Sequence, residues 1–212
     1  MEFNLFYIAS VLVIIFISMT IHEVMHGYVA HLLGDTTAKD LGRLSLNPLK
    51  HIDPFLTIIL PIVLAIAGLP IFGGAKPVPF NPNQVKWGEW GVALVAIAGP
   101  LTNLVLAFLT FAALVVFHVG YNSLGGQFLL VATMVNLGFF VFNIIPIPPL
   151  DGSRVLFAIA PDFIRKIMVM MERAGLVVIF LIVMVASPLI GPFISGAINF
   201  IFVLFGRLFG LS

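Results

Sequence analysis

Two histidines four positions apart, with a glutamate between them, stand where the chain otherwise avoids charge: His22-Glu23-Val24-Met25-His26. From Phe3 to Ile21 no side chain is charged. An ionisable group in hydrocarbon costs roughly 2.5–3.5 kcal/mol on insertion scales, so such residues mark function by default. A metal ion is the compensation that this spacing suggests. On a helix, positions i and i+4 share a face one turn apart, so both imidazoles can grip one ion. Glu23 lies about 100° round from His22, placed to reach a water on the metal rather than the metal. In this pattern two histidines hold zinc and the intervening Glu is the general base. Catalytic zinc takes three protein ligands as a rule. The chain has no cysteine, so histidine and carboxylate must supply them. Asp151 is the candidate for the third, being the only acidic residue between Glu89 and Asp162. It follows a helix that prolines break at Asn143-Ile144-Ile145-Pro146-Ile147-Pro148-Pro149-Leu150-Asp151-Gly152.

These residues need a membrane scaffold. Of 212 residues, 61% are hydrophobic and 9% charged, with a mean hydropathy of +1.18. Soluble domains carry about 25% charged residues, so the composition demands an all-α polytopic membrane protein. Net charge is +1 and no basic run suggests nucleic acid. The first apolar segment lacks a basic start and a small-residue cleavage site, so it is expected to be retained. It predicts a helix from Asn4 to Leu33 that Gly34 terminates. Further apolar helices are expected over 91–118 and 127–145, with two more segments at 174–187 and 190–211. Residues 54–72 are apolar but interrupted by Pro61, Gly68 and Pro70. Gly73 to Pro79 should be extended, because prolines exclude their predecessors from helix. Trp87 and Trp90 belong to an interfacial aromatic belt. Met168, Met170 and Met171 are expected to pack, and His31, His51 and His118 to sit at interfaces.

Charge sets the topology. If helix 1 enters, 91–118 leaves, 127–150 enters and the last two segments form a hairpin, all ten Lys and Arg residues lie inside. This requires 54–72 to re-enter the membrane rather than cross it. Were it to cross, Asp151 would emerge at the face opposite His22. His22 lies 17 residues past Leu5, which is roughly 26 Å deep at 1.5 Å per residue. Asp151 ends a helix that enters from the same side, so the two can meet.

Together these motifs resemble the site-2 protease family of intramembrane zinc metalloproteases. The carriers are His22-Glu23-x-x-His26, Asn143-x-x-Pro146-x-Pro148-x-x-Asp151-Gly152, and Gly99-Pro100-Leu101-Thr102-Asn103 on a central helix. Gly34 to Lys39, Gly42 to Pro48 and Ala75 to Pro79 are similar to minimal microbial members. The resemblance covers roughly residues 10–160. It implies one zinc per chain held by His22, His26 and Asp151, with Glu23 as general base and acid. The implied substrates are transmembrane proteins or peptides, cut at a cytoplasm-facing site in a multi-pass cell-membrane protein. The chain is expected to be one membrane-embedded protease domain, 1–212. A three-helix core lies within about 4–160, beside a re-entrant or β-like cytoplasmic segment, and a helical hairpin follows at 174–211. No PDZ or CBS domain is expected within these 212 residues. Asn143 either donates to the substrate or developing oxyanion, or satisfies carbonyls freed at the helix break. Asn103 is placed near the core helices' contact, where an interhelical hydrogen bond is its plainer role. Gly99 and Pro100 are expected to serve packing and helix start. Two rivals are a metal-binding transporter and an inactive, substrate-binding relative.

Overall fold

In hydrocarbon every backbone N–H and C=O must find its partner within the protein, so apolar stretches of this length fold as helices. The computed structural model describes residues 5–66, 73–184 and 187–211. Helix α1 (Leu5–Leu32) is followed by a single-turn α2 (Thr37–Asp40), a tight turn at Pro48–His51 and a wide turn at Pro54–Ile59 that continues into α3 (Leu60–Ile66). Then come α4 (Gly88–Val116), α5 (Leu124–Asn143), α6 (Gly152–Ile159), α7 (Asp162–Ala174), α8 (Leu176–Met184) and α9 (Ser187–Leu208). Among the described residues, four stretches are long and apolar enough to cross a membrane: α1, α4, α5 and Ile190–Leu208 of α9. The chain is thus an all-α polytopic membrane protein, as its composition requires.

Helices α1, α4 and α5 pack together as the core that carries the site. Lipid tails are as apolar as leucine, so helix association in a bilayer depends on close packing and polar contacts. Accordingly α4 buries small residues, among them Gly91, Ala93, Ala96, Gly99 and Ala107. On its other flank, Phe108 and Phe111 meet Phe205 and Phe202 of α9 edge-on, with ring centroids 5.2 and 5.1 Å apart.

The chain that leaves at Pro54 comes back to its own start. The Gly74 amide donates to the Leu56 carbonyl (3.1 Å) and the Thr57 hydroxyl donates to the Gly74 carbonyl (2.6 Å). Two ends held this closely are compatible with re-entry. Residues 67–72 of that segment lie outside the described residues.

Several expectations need correction. The second long helix starts at Gly88 rather than 91, beside the exposed Trp87 and Trp90, so Pro100 stands inside it and not at its start. Residues 73–80 form neither helix nor strand. The break after Asn143 is followed by a helix of its own, α6, which the sequence analysis does not anticipate. Helix α8 has nine residues, about 14 Å of rise, so the described first arm of the expected hairpin is shorter than a span. His51 is buried, its Nε2–H donating to the Ser45 carbonyl (2.8 Å), not interfacial. Of the three methionines, Met168 is buried whereas Met170 points outward.

Candidate metal centre

His22 and His26 lie on the α1 face that meets α4, and both are buried. The contact is possible because α4 presents no side chain there. A Cβ on Gly99 would stand 2.5 Å from His26 Nε2 and 2.7 Å from His22 Cε1. Asp151 arrives from the other end of the sequence. The corner after α5 turns so tightly that a Cβ on Gly152 would meet the Ile144 carbonyl oxygen at 2.1 Å. Only glycine lets α6 start there, and the fold-back puts the Asp151 carboxylate over the histidines. His22 Nε2 and His26 Nε2 are 3.0 Å apart, and Asp151 Oδ2 lies 3.1 and 3.5 Å from them.

The hydrogen bonds behind these rings fix which nitrogens carry protons. The Ala132 carbonyl can only accept, so the Asn136 amide group that faces it at 2.9 Å is the donating NH2. Asn136 therefore presents its oxygen to Asn103 Nδ2 (2.9 Å), and Asn103 presents its oxygen to His22 Nδ1 (2.6 Å). His22 must then be protonated on Nδ1. His26 is set in the same way, since its Nδ1 faces the Val95 carbonyl at 2.8 Å. In the neutral form, each imidazole then turns an unprotonated Nε2 toward one point. Asp151 Oδ2 faces the same point, buried and without an aligned hydrogen-bond partner. Two nitrogen lone pairs and a carboxylate oxygen converging within 4.8 Å repel one another unless a cation lies between them. Two histidines and one carboxylate are a donor set that catalytic zinc accepts. A bonded outer nitrogen on each histidine is what metal-ligating imidazoles usually show. The residues fit the ion.

Glu23 stands beside this point on α1. Its Oε2 accepts a hydrogen bond from the Val78 amide at 2.8 Å. Val78 lies between Pro77 and Pro79, so it offers the one N–H of that tripeptide. The segment around it is anchored along its length. The Lys76 amide donates to the His51 carbonyl (2.8 Å), and Arg43 donates to the carbonyls of Lys76 and Pro77 (3.0 and 3.3 Å). The Asn81 amide donates to Asp35 (2.6 Å).

Two cavities flank the site and share Glu23, Pro77, Pro149 and Asp151. The larger, about 480 Å³, is walled by apolar residues such as Met19, Leu56, Phe139, Phe142 and Ile179. The smaller, about 340 Å³, is polar at its far end, where Arg154 of α6 pairs with Glu172 of α7.

The structure therefore brings together His22, His26, Asp151 and Glu23. It places Asn103 directly behind His22 as well as between helices. Asn143 ends α5 and lines the larger cavity, and its Nδ2 donates to the Phe139 carbonyl (3.0 Å), so its Oδ1 remains unspent. Sequence reasoning picks out Val78 as the only nearby N–H donor and Asn136 as a polar residue of its helix, but it does not foresee their partners, Glu23 and Asn103. A polar residue seven positions before Asn143, on the same face of α5, was the available signal for Asn136.

Fold and site define a class: a helical membrane protein that holds a two-histidine, one-carboxylate metal set within its helix bundle. Comparison with known proteins agrees. Residues 121–187 match the model of peptidase family M50. The “Putative zinc metalloprotease YwhC” of Bacillus subtilis is 40% identical over 203 residues, covering 91% of this chain and 89% of that protein. Proteins of the same description named Rip2 are 36% identical over 149 residues in Mycolicibacterium smegmatis and 28% over 194 in Mycobacterium tuberculosis H37Rv. Those alignments cover 66% and 90% of this chain, and 52% and 71% of the relatives. No solved structure matches the chain. The chain belongs to peptidase family M50, the site-2 proteases, and is a metalloprotease by that membership.

Proposed function

We propose that the chain is an intramembrane zinc endopeptidase that hydrolyses peptide bonds within or near transmembrane segments. The carrying observation is the convergence of three potential metal-donor atoms, with Glu23 at their side. A zinc ion held by His22, His26 and Asp151 would supply an acidified water, its pKa lowered toward about 7. Glu23 Oε2 is engaged by Val78, and Oε1 is free to take the proton of that water. Glu23 then returns the proton to the leaving amine as the C–N bond breaks. Asn143 sits on the cavity wall, where its amide can orient the substrate or face the developing oxyanion.

Substrate must be unwound to be cut. Residues 74, 76 and 78 spend their amides inward, on Leu56, His51 and Glu23. The N–H and C=O of Ala75, which lines the larger cavity, make no hydrogen bond among the described residues. An extended substrate can pair there as an added strand. The whole chain, 1–212, is taken as one protease domain in the cell membrane. Its charge distribution puts the site toward the cytoplasm.

The far side of the site gives the transporter reading no support. Thr110 and Thr133 bond each other at 3.0 Å, and Asn136 is spent on Asn103 and Ala132, so these residues offer no polar path. The test compares Glu23→Gln with Asp151→Ala in purified protein incubated with a transmembrane peptide. Glu23→Gln should keep its zinc and lose cleavage at least about 100-fold, whereas Asp151→Ala should lose zinc. Undiminished cleavage by Glu23→Gln would refute the mechanism.

A further inference from the structure

Helix α7 is too charged to span the bilayer, yet it leaves much of its apolar surface exposed. It carries Asp162, Arg165, Lys166, Glu172 and Arg173 in thirteen residues, too many charges to cross. Its far end is fixed by connectivity, because Gly175 alone separates it from the charge-free α8, Leu-Val-Val-Ile-Phe-Leu-Ile-Val-Met. Helix α7 therefore runs along the membrane boundary at the end of the bundle where α6 holds Asp151.

Around the helix the side chains sort into three edges. One packs inward through Met168. The next is fully engaged by α6 and the turn before α7. Arg165 donates to the carbonyls of Ala160 and Ala158 (2.8 and 3.1 Å), and Glu172 pairs with Arg154. The third edge has no occupant. Phe163, Ile167 and Met170 are 64%, 52% and 69% exposed and fall within about 60° of one another at helical spacing. Lys166 and Arg173 lie together on one side of that stripe and make no ion pair or hydrogen bond among the described residues. Asp162, one turn before Lys166, forms no ion pair with it. An apolar stripe bordered by unpaired cations is the pattern of a helix that lies in a lipid interface.

We propose that α7 is an interfacial helix that docks on anionic phospholipid. Phe163, Ile167 and Met170 enter the acyl boundary, while Lys166 and Arg173 sit at the phosphate level. Each cation near an anionic surface raises the preference for the docked position about fivefold, so the pair contributes about 25-fold. Docking holds Glu172, and through it Arg154, at the mouth of the smaller cavity beside the metal site.

The absence of cysteine makes the test direct. A nitroxide is attached to Ile167→Cys in the otherwise unchanged full chain, reconstituted in phosphatidylcholine vesicles with or without phosphatidylglycerol. Collision with oxygen reports lipid, and collision with a water-soluble nickel chelate reports water. The expected result is oxygen-dominated collision that strengthens with phosphatidylglycerol. Adding Lys166→Gln and Arg173→Gln should cut the lipid-dependent response about 25-fold. Met170→Cys must give the same phase as Ile167→Cys, which guards against a defect of either single variant. A label open to nickel in both vesicle types overturns the proposal. So does a label shielded from nickel and oxygen alike, because a protein partner or second copy then covers the stripe.

Discussion

Replacing Gly99 by alanine adds one methyl group where two imidazoles meet α4. That carbon would lie 2.5 Å from His26 Nε2, 2.6 Å from His26 Cε1 and 2.7 Å from His22 Cε1. Non-bonded heavy atoms prefer about 3.5–4.0 Å, so each ring must yield by about 1 Å or the helices must part. The rings cannot drift freely, because their outer nitrogens are tied to Val95 and Asn103 at 2.8 and 2.6 Å. Zinc–nitrogen bonds tolerate only about 0.2 Å of error. Overpacking of this kind costs about 1–3 kcal/mol, which predicts a loss of zinc affinity of about 5- to 150-fold. The assay is competition with a chromogenic chelator on purified protein. Gly138→Ala on α5, whose Cβ would meet nothing within 4 Å, is the control and should bind as the parent does. A well-folded Gly99→Ala protein with parental zinc affinity would refute the argument that this missing side chain sets the ligand geometry.

Asn136→Leu, remote from the ion, should weaken zinc binding about 10- to 100-fold, the usual effect of losing an outer-shell partner. Nitrogen NMR of the metal-free variant should also find His22 no longer held with its proton on Nδ1, and an unchanged tautomer would contradict the relay from Ala132. Acid stability tests Asp35. Burial alone would raise its pKa, but the Thr37 hydroxyl and amide and the Asn81 amide outweigh burial and hold the carboxyl below its ordinary value. A carboxyl lowered on folding stabilises the protein above the unfolded value of about 3.9. That stability disappears as pH falls through the folded value. Asp35→Asn should flatten the dependence of unfolding temperature on pH below about 4, and an unaltered slope would count against this assignment.

The metal set was legible because its residue types are so costly in lipid that few readings survive. His22 and His26 follow from helical spacing alone. Asp151 follows from being the only carboxylate near a helix break on the correct side. Charge distribution, a bulk property that needs no atomic detail, suggested that 54–72 re-enters or grazes the membrane, and the contact of residue 74 with residue 56 is compatible with that. Other features were hidden for definite reasons. The Val78–Glu23 bond joins a backbone amide to a side chain 55 positions away, and no residue pattern announces where one amide will point. Asn136 looked like a stray polar residue because its meaning depends on Asn103 facing it across two helices. Pro100 looked like a start signal, as it would in water, but it stands within α4. Helix α6 was missed because eight residues are too few for periodicity to stand out beside a proline-rich corner.

The three metal donors come from chain positions about 125 residues apart, and no disulfide is possible. An ion that joined His26 to Asp151 would therefore act as a clasp on the backbone. Closing a loop of that size removes unfolded-state freedom worth about 5 kcal/mol by chain-entropy reckoning. The reagent that would perform the chemistry would at the same time be the cross-link that keeps the α5–α6 corner folded onto α1. Withdrawal of the ion would disarm the site and release the corner in a single event.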